Sequence, residues 1–262
     1  MSHSRVNSIY QRHSAVLVLL AALVMAASSV LGAAAVYAQD EETAAESPAA
    51  EEATADAAAP DAAAPDEATA AGGIDGSWSV DTEIGSFEGT DELDPFTGSW
   101  VGFSVNEVLE RIGETRAIGR TPAVTGSLAA LGSTIDSVVI EADLTAIRSD
   151  KARRDPAIQQ ALQTTDFPTA KFESSGPVEL PSVPVEGEAF TVTVPGTITI
   201  HGVGQDVSLD ISGQRVGDVV LVVGTLPIDF TSFGVAMPTA PVVVSVEDTG
   251  DLEWQLFFRH QG

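Results

Sequence analysis

Catalysis needs a reactive side chain held beside a group that activates it, so the histidines come first. The chain has four, His3, His13, His201 and His260, and no cysteine. The missing cysteine excludes thiolate nucleophiles, thiolate metal sites and disulfides together. His3 and His13 lie close to the start, and His201 and His260 are far apart, so no zinc-ligand spacing exists. No Asp-x-Asp-x-Asp-Gly calcium loop occurs, and no Gly-x-Ser-x-Gly nucleophile elbow. Gly202-Val203-Gly204 lacks the third glycine and the strand-to-helix setting of a dinucleotide loop. His201 reads as a turn residue, and Arg154-Asp155 as a structural pair holding a helix start. No nucleophile and base come together, so the reading assigns no catalytic residue, no metal and no resident cofactor.

Charge narrows the partners. The 262 residues carry 38 acids against 12 bases, a formal charge of −26. A nucleic-acid binder needs the opposite sign to displace counterions. The acidity is partly concentrated. Residues 40–72 are almost only Ala, Glu, Asp, Pro and Thr, with ten acids, no base, no aromatic and no Ile, Leu or Val. Such a stretch offers nothing apolar to offset the entropy of ordering, so an acidic Ala/Pro/Glu-rich disordered linker is expected over 39–72. Before it, Arg5 and Arg12 precede an uncharged run from Ala15 to Ala38 that ends Val36-Tyr37-Ala38. A positive start, an apolar middle and a small-x-Ala end describe a signal peptide over 1–38, cut after Ala38. The same run is long enough to serve instead as an uncleaved anchor, with membrane contact through that segment. Both readings place the rest outside the cytoplasm, whether secreted, periplasmic or anchored.

The remaining domain, 73–262, carries 28 acids and 10 bases, about −18. Its dominant signal is period two. Phe190, Val192, Val194, Gly196, Ile198 and Ile200 oppose Thr191, Thr193, Pro195, Thr197 and Thr199. Val207, Leu209 and Ile211 repeat the pattern, as do Leu226, Ile228 and Phe230, and then Leu252, Trp254, Leu256 and Phe258. Shorter rows run through Val101, Phe103 and Val105 and through Val138, Ile140 and Ala142. Alternation of this kind marks antiparallel strands with one dry face. His201–Gly204, Gly213–Gly217 and Asp248–Gly250 read as hairpin turns. Asp155-Pro156 reads as an N-cap followed by proline in the first turn of one short helix, stopped before Pro168. Many strands and one helix leave a sandwich or a closed barrel. Eight strands would enclose a bore that side chains fill or that holds one small ligand.

The segment from Ile147 to Ser174 carries a resemblance. Arg153-Arg154-Asp155, then Asp166-Phe167, then Ala170-Lys171-Phe172-Glu173-Ser174 resemble the signature of the YceI-like family. Trp78-Ser79-Val80-Asp81 looks like that family's opening strand. Gly196 to Val203 followed by Val207-Ser208-Leu209 is similar to its hairpin, and Ile228 to Gly234 resembles its late Arg-x-Asp-Phe-Gly-type segment, except that the late Arg is missing, with Pro227 and Ile228 in that region. The resemblance implies an all-β fold, an extended eight-stranded antiparallel lipocalin-like β-barrel with one short helix. It implies an exported binding protein, not an enzyme, that holds a polyisoprenoid, a quinone tail or a related long-chain lipid as carrier or store. The sequence departs from the pattern where Asn106-Glu107 stands in place of a histidine, and Val108–Thr125 reads as an inserted lid or rim loop.

The inward faces then name an apolar bore: Phe103, Val105, Ile140, Phe172, Ile198, Ile200, Leu209, Phe230 and Trp254. Phe167, Phe233 and Met237 belong near an end. Rows of Val, Ile and Ala serve equally for a packed core, so a secreted structural or stress-response barrel with a filled interior stands beside the lipid binder.

Overall fold

In the computed structural model the described residues are 73–85 and 97–262. The segments expected at 1–38 and 39–72 lie outside them. The domain runs β1 (Gly76–Val80), β2 (Trp100–Leu109), β3 (Gly113–Thr121), β4 (Val124–Leu131) and β5 (Thr134–Asp143). There follow β6 (Arg148–Ser149), helix α1 (Asp155–Ala161), β7 (Thr169–Ser174) and β8 (Val178–Glu179). It ends with β9 (Ala189–Ile200), β10 (Val203–Val216), β11 (Val219–Asp229) and β12 (Val243–Gln261). The pairings are antiparallel. The order β1-β4-β5-β7-β9-β10-β11-β12 closes on itself, because β12 pairs back onto β1. The result is a closed eight-stranded antiparallel barrel with one short helix among the described residues.

Two of the staves are interrupted strands. β12 pairs β1 as far as Val80↔Phe258 and takes up β2 at Trp100↔Gln255. β1 and β2 therefore follow one line along β12, with the chain leaving after Asp81 and returning at Ser99. Asp81 and Ser99 pin that departure. The Asp81 carboxylate accepts from the N–H groups of Glu83 and Ile84, Ser99 Oγ donates to the Asp81 carbonyl, and Phe257 N donates to Ser99 Oγ. β3 and β4 are likewise one stave broken at Pro122-Ala123, where a proline cannot donate to the ladder. The stretch Val108–Thr125 is thus not a lid. It is the end of β2, a tight turn and a barrel strand.

The turn His201-Gly202 joins β9 to β10 with both residues left-handed, φ 53° and 74°. That is the two-residue geometry whose twist suits flanking strands. Two other expected turns are corrected. β10 continues through Gly213 to Val216, and the reversal is at Gly217-Asp218. Asp248–Gly250 lies inside β12 as a register shift against β2. A Cβ on Gly250 would stand 2.3 Å from the Ser104 carbonyl oxygen, so close strand approach, not a reversal, requires glycine there. The helix begins at Asp155, but that side chain is not its cap. Asp155 Oδ1 accepts from Ser149 N at 2.8 Å and Ser149 Oγ at 2.6 Å, tying the helix start to β6.

The interior holds two packed clusters. At the β1/β4 end Trp78, Val138, Phe172, Val194, Leu209 and Phe258 are buried together. At the β2/β3 end Val105, Ala117, Ile200, Ile228, Phe230 and Phe233 form a second. Inward aromatics lie against glycines of the neighbouring strand: Phe190 on Gly213, Trp254 on Gly224, Phe103 on Gly119 and Phe172 on Gly196. Each ring covers the space a Cβ would fill, which lets a few rings fill a barrel otherwise made of small residues.

Candidate functional site

The second cluster does not fill its end of the barrel. A cavity of about 230 Å³ remains between β2, β3, α1 and the chain from Val235 to Val246. β2 and β3 supply Phe103, Val105, Leu109 and Ala117 as the strand wall. These are inward positions two residues apart, as the pleat requires. α1 lies across them. Its Ala157, Ile158, Ala161 and Leu162 fall on one helical face, at spacings of one, four and five, and all four line the space. Pro156 sits in the first turn, and Gln159 Nε2 donates to the Thr145 carbonyl oxygen at 3.1 Å, holding the helix against the end of β5.

The third wall is positioned by a cap. β11 ends at Asp229, whose carboxylate accepts from Thr231 N and Thr231 Oγ1 and starts a 3-10 turn over Phe230–Phe233. Asp143 and Thr145 make the same motif at the end of β5. The turn closes with Gly234 left-handed, sending Val235, Met237 and Pro238 along the cavity. Val242 and Arg153 line the cavity and are also exposed, so it reaches the surface between this segment and the helix.

Of the 20 lining residues, only Glu107, Arg153, Arg154 and Thr239 are polar, which makes this a hydrocarbon-accepting space with a small polar patch. Glu107 projects inward from β2 in the row of Val105 and Leu109, and its side chain is 4% exposed. Arg154 Nη2 donates to Glu107 Oε1, and Arg154 Nη1 donates to Asp150 Oδ1 at 2.6 Å. The pair expected between Arg154 and Asp155 is therefore replaced by Arg154 with Glu107 and Asp150. Burying two charges is costly unless they meet each other, and here they do.

Phe103, Val105 and Phe230 are the members of the expected bore that line this cavity. Ile200 belongs to the same cluster, with Ile198 packed against both clusters. Phe172 and Leu209 sit in the packed end, with Ile140 and Trp254 against it. Met237 lines the cavity, and Phe233 is buried beside it. Phe167 packs tilted against His201, ring centroids 4.5 Å apart and planes at 58°, and His201 Nδ1 lies 3.1 Å from the Phe233 carbonyl oxygen. His260 packs edge-on to Trp78 and meets the Asp75 carbonyl oxygen at 3.0 Å, so both described histidines serve the fold. Sequence reading missed Glu107, Arg153, Arg154, Ala117 and the helix face. The helix face carried a signal in its apolar spacing. Glu107 carried none, because its counter-ion lies 47 residues away.

A larger groove of about 420 Å³ runs along β9 and β10 between Thr191, Thr193, Asp210 and Ser212. Thr193 Oγ1 already donates to Asp210 Oδ1 at 2.7 Å, so this is a solvated trough on the outer face. On the outside of β2, β3 and β12, Arg116 bridges Asp251 and Glu253, and the Arg120 guanidinium lies 3.9 Å over the Trp100 ring. Burial pulls the Arg120 pKa down, with Glu253 opposing it. Among the described residues no group of three or more His, Asp and Glu is placed to hold a metal. No helix among them is long and apolar enough to cross a membrane.

A family model for the YceI-like domain matches residues 92–258, which takes in β2 to β11, β12 as far as Phe258 and the whole cavity, but not β1. No curated protein matches. Among solved structures, the chain is similar to a polyisoprenoid-binding domain from Saccharophagus degradans implicated in plant cell wall breakdown. That likeness has a TM-score of 0.51 and 14% identity, and covers 70% of this chain and 98% of the other. The BcnA protein of Burkholderia cenocepacia gives a TM-score of 0.42 and 17% identity over 60% of this chain and 95% of that one. The YceI protein of Campylobacter jejuni gives 0.46 and 16% over 55% and 85%. At these identities the likeness concerns the fold.

Proposed function

We propose, from the premise that the chain belongs to the YceI-like domain family, that it is an extracytoplasmic binding protein holding a long-chain lipid as carrier or store. The ligand is a polyisoprenoid, a quinone tail or a related amphiphile. Its apolar chain enters the cavity beneath α1, and its polar end stays by Glu107, Arg153 and Arg154. The observation that carries this reading is the composition of that cavity, apolar except for one compact polar patch. Burying each methylene contributes about 0.8 kcal/mol, so a hydrocarbon chain binds there without many polar contacts. The solved domain described as polyisoprenoid-binding, with the same fold, supports the same choice. Export follows from the signal-like segment at 1–38, and the role is sequestration, not catalysis.

One observation favours a second reading. The cavity, about 230 Å³, falls just under the range of about 300–1,000 Å³ usual for small-molecule sites, and the other end of the barrel is packed. A barrel with a mostly filled interior serves as a structural or stress-response scaffold. Lipid extraction and native mass spectrometry of the full chain purified from its own envelope separate the two. A co-purifying isoprenoid or fatty amphiphile is expected. A clean unliganded mass, with no uptake of added quinone analogues, leaves the scaffold.

A further inference from the structure

We infer that the cavity selects an amphiphile whose head is a neutral hydrogen-bond donor, an aliphatic alcohol or a hydroquinone, and that Glu107 is the residue that recognises it. This inference rests on the lipid-binding reading above and adds the chemistry of the ligand's head. Glu107 occupies an inward position of β2 where its neighbours in the row, Val105 and Leu109, are apolar. Its side chain is 4% exposed and lines the cavity. Arg154 engages Oε1, whereas Oε2 receives no donor among the described residues. Oε2 is not sealed off from the space that Glu107 lines, and an acceptor facing apolar surroundings without a donor is costly, more so when charged. A ligand O–H reaching Oε2 removes that cost, and a ligand carrying only acceptor oxygens does not.

The charges around the patch point the same way. Arg154 is held by Glu107 and Asp150 together, so the cation beside the cavity's one lining carboxylate is already engaged. A carboxylate or phosphate head would place its oxygens against the Glu107 carboxylate. An ether or quinone oxygen would face it acceptor to acceptor. An alcohol or hydroquinone donates to Oε2 and can accept from Arg153, whose guanidinium has no ion-pair partner among the described residues.

The test holds the chain constant and changes the head. The purified full chain is titrated with geranylgeraniol, its methyl ether and geranylgeranoic acid, and separately with a decyl hydroquinone and the matching quinone. Affinities are read by calorimetry. The alcohol and the hydroquinone are expected to bind at least about tenfold more tightly than their counterparts, which is about 1.4 kcal/mol. Glu107→Gln is expected to bring the alcohol-to-ether ratio within about threefold, because its amide N–H can donate to an ether oxygen. The comparison within the unaltered protein stands even if that variant folds poorly. Equal affinity for alcohol and ether, or tighter binding of the acid, overturns the inference and leaves lipid binding intact. Failure of every chain to bind overturns the lipid-binding reading itself.

Discussion

Phe103 on β2 lies so close to Gly119, its register partner on β3, that a Cβ on the glycine would stand 2.5 Å from the ring. On its other side Phe103 meets Phe230 edge-on, with ring centroids 5.9 Å apart. The ring is held between the two, and its remaining freedom is toward the cavity that it lines. Gly119→Ala is therefore expected to push Phe103 into the ligand space. The expected loss of stability is about 1–3 kcal/mol, as for other overpacked interiors, and lipid affinity should fall with it. Urea denaturation and lipid titration check both. An unchanged midpoint together with unchanged affinity would contradict this packing.

The two ends of the barrel should respond oppositely to substitution. Ala117 lines the cavity from β3, whereas Leu209 on β10 sits in the packed cluster. Ala117→Leu puts three carbons into open space. It is expected to weaken lipid binding at least tenfold, while stability changes by less than about 3 kcal/mol. Leu209→Ala opens a hole among packed neighbours, costing about 2–5 kcal/mol, and should leave affinity within about threefold. The reverse pattern would place the ligand in the β1/β4 end.

What the sequence disclosed followed from side-chain size. Phe190 to Ile200 and Leu252 to Phe258 alternate between large apolar and other residues, so their strands were legible at once. β3 alternates too, but its inward residues are Ala117, Gly119 and Thr121, and its outward ones include Arg116, Ile118 and Arg120. Small residues inside and long ones outside erase the usual contrast, and the strand read as a loop. The feature that hid the strand also leaves room for the cavity. Gly213 and Gly250 carried turn chemistry, but they serve Phe190 and Ser104 across the sheet, and pairing across strands cannot be read along one strand. The nine residues named for the bore belong to the two apolar clusters or pack against them. Which of them pack and which face open space depends on the path of Val235–Val246 and on α1, both remote in sequence from β2.

Acid should loosen the joint between β1 and β12. Burial tends to raise the Asp81 carboxyl pKa. The Arg259 guanidinium, 2.5 Å away, and the N–H groups of Glu83 and Ile84 outweigh that and hold it below its ordinary 3.8. The same contact, with Asp218 adding to it, raises Arg259. The unfolded chain therefore takes up the proton first as pH falls. The stability from Asp81 is present above about pH 4 and is lost as pH drops through the lower folded value. Exposed Asp229, held down by Thr231, acts in the same direction, so the comparison must isolate Asp81. Asp81→Asn is expected to cost about 1–3 kcal/mol at pH 7 and to flatten the decline in stability below pH 4. Denaturation midpoints from pH 7 to pH 3 measure both, and parallel acid limbs in parent and variant would rule out this role.

The Glu107–Arg154 pair gives the sharpest separation between a structural and a functional reason for buried charge. Both side chains are largely buried, 4% and 18% exposed, in a wall that is otherwise apolar. Removing only the cation leaves the carboxylate stranded. Arg154→Met is expected to destabilise the barrel by about 3 kcal/mol, and somewhat less if water enters from the mouth. Removing both charges leaves an apolar wall, so Glu107→Leu combined with Arg154→Met should recover most of that loss. A double variant as stable as the parent, yet unable to prefer an alcohol over its methyl ether, would mean that the pair is kept for recognition at some cost in stability. A double variant no more stable than Arg154→Met would instead make Asp150, which Arg154 also holds at 2.6 Å, the group whose lost counter-ion matters. The pair would then act as a clamp between α1 and the approach from β6, and denaturant midpoints of the three proteins decide between these outcomes.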